Sequence, residues 1–276
     1  MSDERALVLG GGGVTGIAWE IGLVHGLARA GVDLSGADLL VGTSAGSVVA
    51  AQLASGVPLE ELYAGQLRTP EGEIPARLGY GMVLRYFAAF ALPGTAERKR
   101  ARLGQAALRA RTVSEAERRA VFQGRLAERG WPERPLRVTA VNAEDGSFAV
   151  FDRDSGAPFL DAVAASCAVP LVWPPVTIDG HRYMDGGMRS VANVDLAKGY
   201  RRVVVLAPVT SAFSRAGRPG TQLAALDARS ILLSPDDAAR KAIGRNVLDP
   251  ARRAVAAEAG LAQGTAVADA VRAVWS

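Results

Sequence analysis

The stretch ADLLVGTSAGSVVAAQLAS, residues 37–55, constrains the fold of this chain more than any other. Residues 38–41 predict a short buried strand, and the small and β-branched residues from Ala45 onward predict a helix. Ser44 therefore falls on the turn between them, inside Gly42-Thr43-Ser44-Ala45-Gly46, the pattern of a nucleophile elbow. A serine on so tight a turn takes a strained backbone that only small neighbours two positions away on each side tolerate, and Gly42 and Gly46 supply them. The first free amides of the helix, beginning with Ala45, would lie beside the hydroxyl, where the helix dipole favours a developing negative charge. The same five residues also describe an ordinary glycine-containing βα turn, so their meaning depends on the rest of the chain.

A second stretch repeats this order. RALVL, residues 5–9, predicts a strand running directly into Gly10-Gly11-Gly12-Gly13-Val14-Thr15-Gly16, and a helix is expected over 17–30, closed by Gly31. Gly11, Gly13 and Gly16 satisfy GxGxxG, and Asp33 lies twenty residues past Gly13, which is a dinucleotide-binding spacing. In that fold the acidic residue ends the second strand, whereas here the second strand ends in GTSAG. The alternative uses the same physics: bare backbone amides at a helix start stabilise either a phosphate or the oxyanion of acyl transfer. Partnership with Ser44 favours the oxyanion, because the carboxyl ends of neighbouring parallel strands share one crevice.

At 276 residues the chain is long enough for one large α/β domain with a generous core. Its single cysteine, Cys167, excludes an internal disulfide and fits a reducing compartment; it reads as a small buried residue near the site, not a reactant. The first residues lack the pattern of a signal peptide, and no apolar run approaches membrane-spanning length, so a cytoplasmic protein is expected. The charge is uneven. Residues 98–137 hold twelve Lys or Arg against four Glu, a local +8 within a chain whose net charge is +4. These residues form two expected basic helices, 96–109 and 114–129, the second opened by a Ser114/Glu117 capping box. Together with the aromatic stretch 78–92 before them they read either as a lid touching anionic membrane surface or as a buried helix followed by solvated ones.

Further strands are expected at 136–142, 148–151, 176–178, 182–184 and 203–208, a helix at 159–168 and another at 193–198, and helix for the remainder to Trp275. A serine nucleophile needs a base. His25 precedes Ser44, against the Ser, Asp, His order of α/β-hydrolases, and His181 sits in turn chemistry beside Gly180. A partly desolvated carboxylate in direct contact can serve instead, and Asp185 is the candidate, because Gly186 and Gly187 give it an unhindered backbone.

GGGVTG at residues 11–16, GTSAG at 42–46 and DGG at 185–187, in that order, resemble the patatin-like phospholipase family, as does the intervening SCAVPLVWPPVTIDGHRYMDGG. The resemblance covers about residues 5–200, weakly over about 70–134, where a variable basic and aromatic helical insert is expected, and the tail adds nothing to it; residues 201–276 are expected to form the final strand and C-terminal helical part of the same domain. It implies a three-layer α/β/α sandwich with a mostly parallel sheet, and a Ser-Asp dyad hydrolase. By position Ser44 is the nucleophile, Asp185 the base, and the amides of Gly11, Gly12 and Gly13 the oxyanion hole, with Gly16, Gly42, Ala45, Gly46, Gly186 and Gly187 shaping the motifs. No metal or cofactor is implied; the partner is a lipid ester substrate, with no nucleic acid. Two positions depart from the family's DGGGxRG loop: Gly10 stands in place of Asp, and Thr15 in place of Arg, which removes a cation from the loop. Two other classes of function stay open on these residues, a dinucleotide-binding protein and a catalytically silent lipid-binding module.

Overall fold

The structure, a computed structural model, describes residues 4–68, 86, 88–126 and 130–276. The sequence also predicts a loop at 69–75; that stretch and most of the aromatic stretch 78–92 lie outside them. Both sequence-predicted βα units are present: β1 (Arg5–Leu9) leads to α1 (Gly13–Arg29), and β2 (Leu39–Thr43) leads to α2 (Ala45–Ala54) and α3 (Leu59–Leu67). Helix α1 begins four residues before the expected start, so the last glycines of the loop form its first turn. After α4 (Ala96–Leu108) and α5 (Glu115–Leu126) come β3 (Leu136–Asn142), β4 (Phe148–Phe151), α6 (Phe159–Ser166), β5 (Val176–Ile178) and β6 (His181–Asp185). The Ser114 capping box is present, with the Ser114 amide donating to Glu117 Oε2 at 2.8 Å and the Glu117 amide to Ser114 Oγ at 3.1 Å.

β7 (Arg202–Leu206) is followed by a short helix α7 (Pro219–Leu223), then by β8 (Arg229–Leu233), α8 (Asp237–Ile243), α9 (Arg253–Ala266) and α10 (Ala268–Trp275). Two expectations are corrected here. The tail is not helical throughout, because RSILL pairs in parallel with β7 as the sheet's last strand, and residues 194–197 form a 3₁₀ turn instead of a helix. An edge strand paired on one side alternates weakly, which is why RSILL, flanked by polar residues, lacks a strand signature.

Among the described residues the sheet has eight strands, ordered β5-β6-β3-β2-β1-β7-β8, with β4 pairing β3 off this path. Its centre is parallel, and β4, β5 and β6 pair antiparallel. The parallel strands are buried on both faces. Leu7, Leu9, Leu40, Val204 and Leu206 meet one core with α1, α2, α6 and α9, while Ala6, Val8, Val41, Val203 and Val205 meet a thinner layer made by Ala192, Val194, Ala197 and Leu223. This is the expected three-layer α/β/α sandwich. No helix among the described residues is long and apolar enough to cross a membrane.

One detail of register positions the site. Thr139 of β3 pairs with Thr43 on one side and Val150 of β4 on the other, and Ala140 pairs with Ala149 of β4 and with Asp185. Since β4 fills one edge of β3, β2 and β6 must share the other edge end to end. The residue before Ser44 and the carboxylate Asp185 therefore stand opposite consecutive residues of β3.

The tail clamps α1 from behind. A Cβ at Gly22 would come within 2.0 Å of the Ala257 carbonyl oxygen, and one at Gly264 within 2.3 Å of that of Leu23, so α1 and α9 touch backbone to backbone. Beside this seam the Trp19 indole N–H donates to Gln263 Oε1 at 2.9 Å. The orientation of α1, and with it the glycine loop at its start, is set by a helix more than 230 residues further on.

Candidate active site

Ser44 occupies the apex of the β2–α2 turn with φ 53° and ψ −121°, a conformation rare for any residue with a side chain. Four neighbouring groups hold it there. The Ser44 amide donates to Ser166 Oγ at 2.9 Å, and its carbonyl accepts from Ser47 Oγ at 2.7 Å, the Ser47 amide at 2.9 Å and Cys167 Sγ at 3.0 Å. The elbow also presses against the first βα unit, for the Gly46 amide donates to the Gly10 carbonyl at 2.9 Å and a Cβ at Gly46 would sit 2.1 Å from the Leu9 carbonyl oxygen. Cys167 is buried, and burial first, then the charge of Asp185, pushes its thiol up to about 12; it acts as a hydrogen-bond donor to the turn.

Asp185 is the last residue of β6 and is only 3% exposed. Burial raises its carboxyl from 3.8 to about 7, against the opposing effect of hydrogen bonds from the Ser44 hydroxyl and the Gly187 amide, the latter at 2.7 Å. The Ser44 hydroxyl is thus among the groups that act on this carboxyl, while both histidines are engaged elsewhere. His25 pairs with Glu60 at 3.2 Å and stacks on Tyr63, and His181 pairs with Glu144 at 3.3 Å at the start of β6. Gly186 lies flat on Thr139, where a Cβ would come within 2.5 Å of the Thr139 carbonyl oxygen.

The glycine loop divides its amides between structure and the cleft. Gly10 donates to the Leu206 carbonyl at 2.9 Å and to the buried Glu20 Oε1 at 3.0 Å, and Gly11 donates to the Val191 carbonyl at 2.7 Å. Gly11 therefore cannot offer its amide to a ligand, a correction to the expected set. Gly12, Gly13 and Ala45 donate to no partner among the described residues. The position at which the family loop carries Arg is structural here, because both the Thr15 amide and hydroxyl donate to the Val247 carbonyl at 3.2 Å.

The dinucleotide reading does not survive this geometry. Asp33 is exposed in the loop entering β2, with its Oδ1 accepting from the Ser35 amide and its carbonyl from Trp275 Nε1. It stands at the amino end of a five-residue strand whose carboxyl end carries the glycine crevice, roughly 17 Å away along the strand.

A narrow cleft opens in front of Ser44, lined among the described residues by apolar side chains such as Val14, Ile17, Trp173 and Leu248 and by Arg118 and Arg125 of α5. No three His, Cys, Asp or Glu side chains among the described residues converge as a metal site requires.

Sequence reasoning missed the buried residue that ties these parts together. Asn193, fully buried and left-handed at φ 50°, donates through Nδ2 to Thr43 Oγ1 at 3.0 Å, Thr139 Oγ1 at 3.2 Å and the Ser190 carbonyl at 2.9 Å. Thr43 precedes Ser44, and Thr139 faces the glycine after Asp185, so one amide fixes the separation of both. Asn193→Ala is expected to cost about 2–3 kcal/mol by stranding buried hydroxyl and carbonyl groups, read as a lower urea midpoint. An unchanged midpoint would show that the hub carries no load.

A family model described as patatin-like phospholipase matches residues 7–198. The structure is similar to the crystal structure of VipD from Legionella pneumophila (TM-score 0.49, 13% identity, covering 98% of this chain and 67% of that one). It is also similar to that of the type III effector protein ExoU (TM-score 0.42, 16% identity, 98% of this chain and 53% of that one). The chain thus spans about two thirds of the one and about half of the other. No curated protein sequence matches it.

Proposed function

The chain belongs to the patatin-like phospholipase family, and from this premise we propose that it hydrolyses carboxylic esters of lipids, as a phospholipase A or lipid esterase, through Ser44 and Asp185. The observation that carries the proposal is a buried carboxyl, raised to about 7 with the Ser44 hydroxyl acting on it, brought by the sheet register beside a serine held in an elbow conformation. Ser44 Oγ attacks the ester carbonyl carbon while its proton passes to Asp185. The carbonyl oxygen becomes an oxyanion held by the amides of Gly12 and Gly13, with Ala45 beside them. Collapse breaks the ester C–O bond, and Asp185 returns the proton to the departing alcohol oxygen. Water then attacks the acyl-serine carbonyl and gives a proton to Asp185; the acid leaves, and the serine recovers its proton. The chain's own groups supply every proton transfer.

We take residues 5–200, with 70–134 as a variable insert, as the catalytic unit, and residues 201–276 as part of the same domain. The continuation of the sheet through β7 and β8, and the contact of α9 with α1, support this division. The positive segment 98–137 supports a cytoplasmic enzyme that makes peripheral contact with anionic membrane surface.

A fluorophosphonate probe is expected to label the wild-type protein on Ser44, identified by peptide mass, and to leave Ser44→Ala unlabelled. A folded sample that stays unlabelled while still binding liposomes would replace the hydrolase with a silent lipid-binding module.

A further inference from the structure

A second buried carboxyl lies behind the glycine loop. Glu20, in the third turn of α1, has no exposed surface, and its Oε1 accepts from the Gly10 amide at 3.0 Å. Its Oε2 has no hydrogen-bond partner among the described residues. Burial holds this carboxyl well above the usual carboxylate range, against the opposing effect of the Gly10 amide, and so favours the uncharged form. An acid in such a place costs desolvation, and Gly10 does not depend on it for a partner, because the same amide also donates to the Leu206 carbonyl at 2.9 Å. An apolar side chain of the same length would fill the space and strand no backbone group. Stability gives no reason for an acid at this position.

What the acid holds is the root of the loop. The Gly10 carbonyl accepts from the Gly46 amide at 2.9 Å, so this one residue joins the loop to the serine elbow. Gly12 and Gly13, whose amides donate to no partner among the described residues, follow two and three positions later. Side chains of a helix lean toward its N-terminus, which carries the Glu20 carboxyl back toward the loop from which α1 starts. The turn that bears it is pinned. A Cβ at Gly22 would come within 2.0 Å of the Ala257 carbonyl oxygen, one at Gly260 within 2.3 Å of that of Trp19, and the Trp19 indole donates to Gln263. Helix α9 therefore fixes the backbone on both sides of Glu20, and the carboxyl passes that fixed position on to Gly10.

We propose that Glu20 is a positioning residue for the oxyanion hole: its carboxyl fixes Gly10 against the elbow, so that the Gly12 and Gly13 amides meet the oxyanion formed when Ser44 attacks. The acid touches no substrate. Its effect falls on the transition state and not on substrate binding, because a misplacement of about 1 Å in such a site costs on the order of a hundredfold in rate. This inference rests on the ester-hydrolase reading of Ser44, and its test separates the two.

The test compares the wild type with Glu20→Met and Glu20→Gln on p-nitrophenyl butyrate, and on a trifluoromethyl ketone carrying the same acyl chain. Ser44 Oγ adds to the ketone carbonyl carbon and passes its proton to Asp185, leaving an oxyanion with no group to expel, so this inhibitor reports on the hole itself. Glu20→Met should keep or raise the urea midpoint, lower kcat by about 10- to 100-fold with KM within about twofold, and weaken the ketone by a factor similar to that in kcat. Glu20→Gln keeps an acceptor for the Gly10 amide and should stay within about threefold of the wild type in both. If Glu20→Met fails to fold, Glu20→Asp, which withdraws the acceptor by one methylene, replaces it, with kcat expected to fall by at least about tenfold. Full kcat in a folded Met or Asp variant overturns the role and leaves the hydrolase standing. A Gln variant as slow as the Met variant overturns it too, as does a loss of kcat that comes with an equal loss of stability in every variant, the mark of a residue that only packs. No cleavage of the ester and no binding of the ketone by the wild type removes the hydrolase reading, and the positioning role with it.

Discussion

Asp185→Asn is expected to give a folded protein that hydrolyses esters roughly a hundred- to ten-thousandfold more slowly, the usual contribution of a positioned general base. The same variant should be more stable than the wild type in neutral and alkaline solution. Burial raises the Asp185 carboxyl from 3.8 to about 7, so the folded protein holds a proton that the unfolded chain releases. Such a group contributes most below its unfolded value, and that contribution is lost as pH rises from about 4 to about 7. On a fully buried carboxyl a rise of this size corresponds to about 4 kcal/mol. The amide of Asn never ionises, yet its oxygen still accepts from Ser44 and Gly187. The stability difference between variant and wild type should therefore grow across that window and level off above it. Activity in the wild type should run the opposite way, with kcat/KM rising to a plateau through an apparent pKa near 7, because the base must be ionised to receive the serine proton. Urea denaturation at several pH values, paired with a pH-rate profile, checks both halves. A variant less stable than the wild type at about pH 8 would mean that the carboxylate holds the fold together instead of straining it.

Replacing Ser44 should abolish turnover whatever takes its place, by at least about ten-thousandfold, as for a covalent nucleophile. Stability, however, should depend on the replacement. The apex at φ 53° suits glycine and penalises any Cβ. Ser44→Gly should thus be more stable than Ser44→Ala by about 1 kcal/mol, since alanine keeps the strained Cβ and glycine sheds it. Equal urea midpoints for the two, or a more stable alanine variant, would show that the four hydrogen bonds around the turn meet a relaxed backbone.

The parts legible in the sequence are those whose signals are local. The strands at 136–142 and 148–151 lie where their alternation put them, and the turn at Ser44 follows from two glycines and the change of period from two to 3.6. Ordered motifs pointed to Ser44 and Asp185 as one pair, although nothing near either residue says that they touch. What brings their strand ends together is that β2 and β6 share one edge of β3, which no window of sequence records. Asn193 was equally silent, because a lone asparagine opening an expected helix looks the same whether it is solvated or wired to Thr43 and Thr139. The loss of the Gly11 amide to Val191 needs a partner 180 residues away. β8 escaped detection because an edge strand carries half the pattern of a central one.

The seam between α1 and α9 has a consequence for biosynthesis. The glycine loop receives its final form only when the carbonyl of Val247 and the bare flank at Gly260 and Gly264 arrive behind it. A nascent chain still on the ribosome, with its serine turn already made, would lack the brace that aims the loop amides. On the reading proposed above, the site stays disarmed until α9 has been made, more than 200 residues after the serine turn.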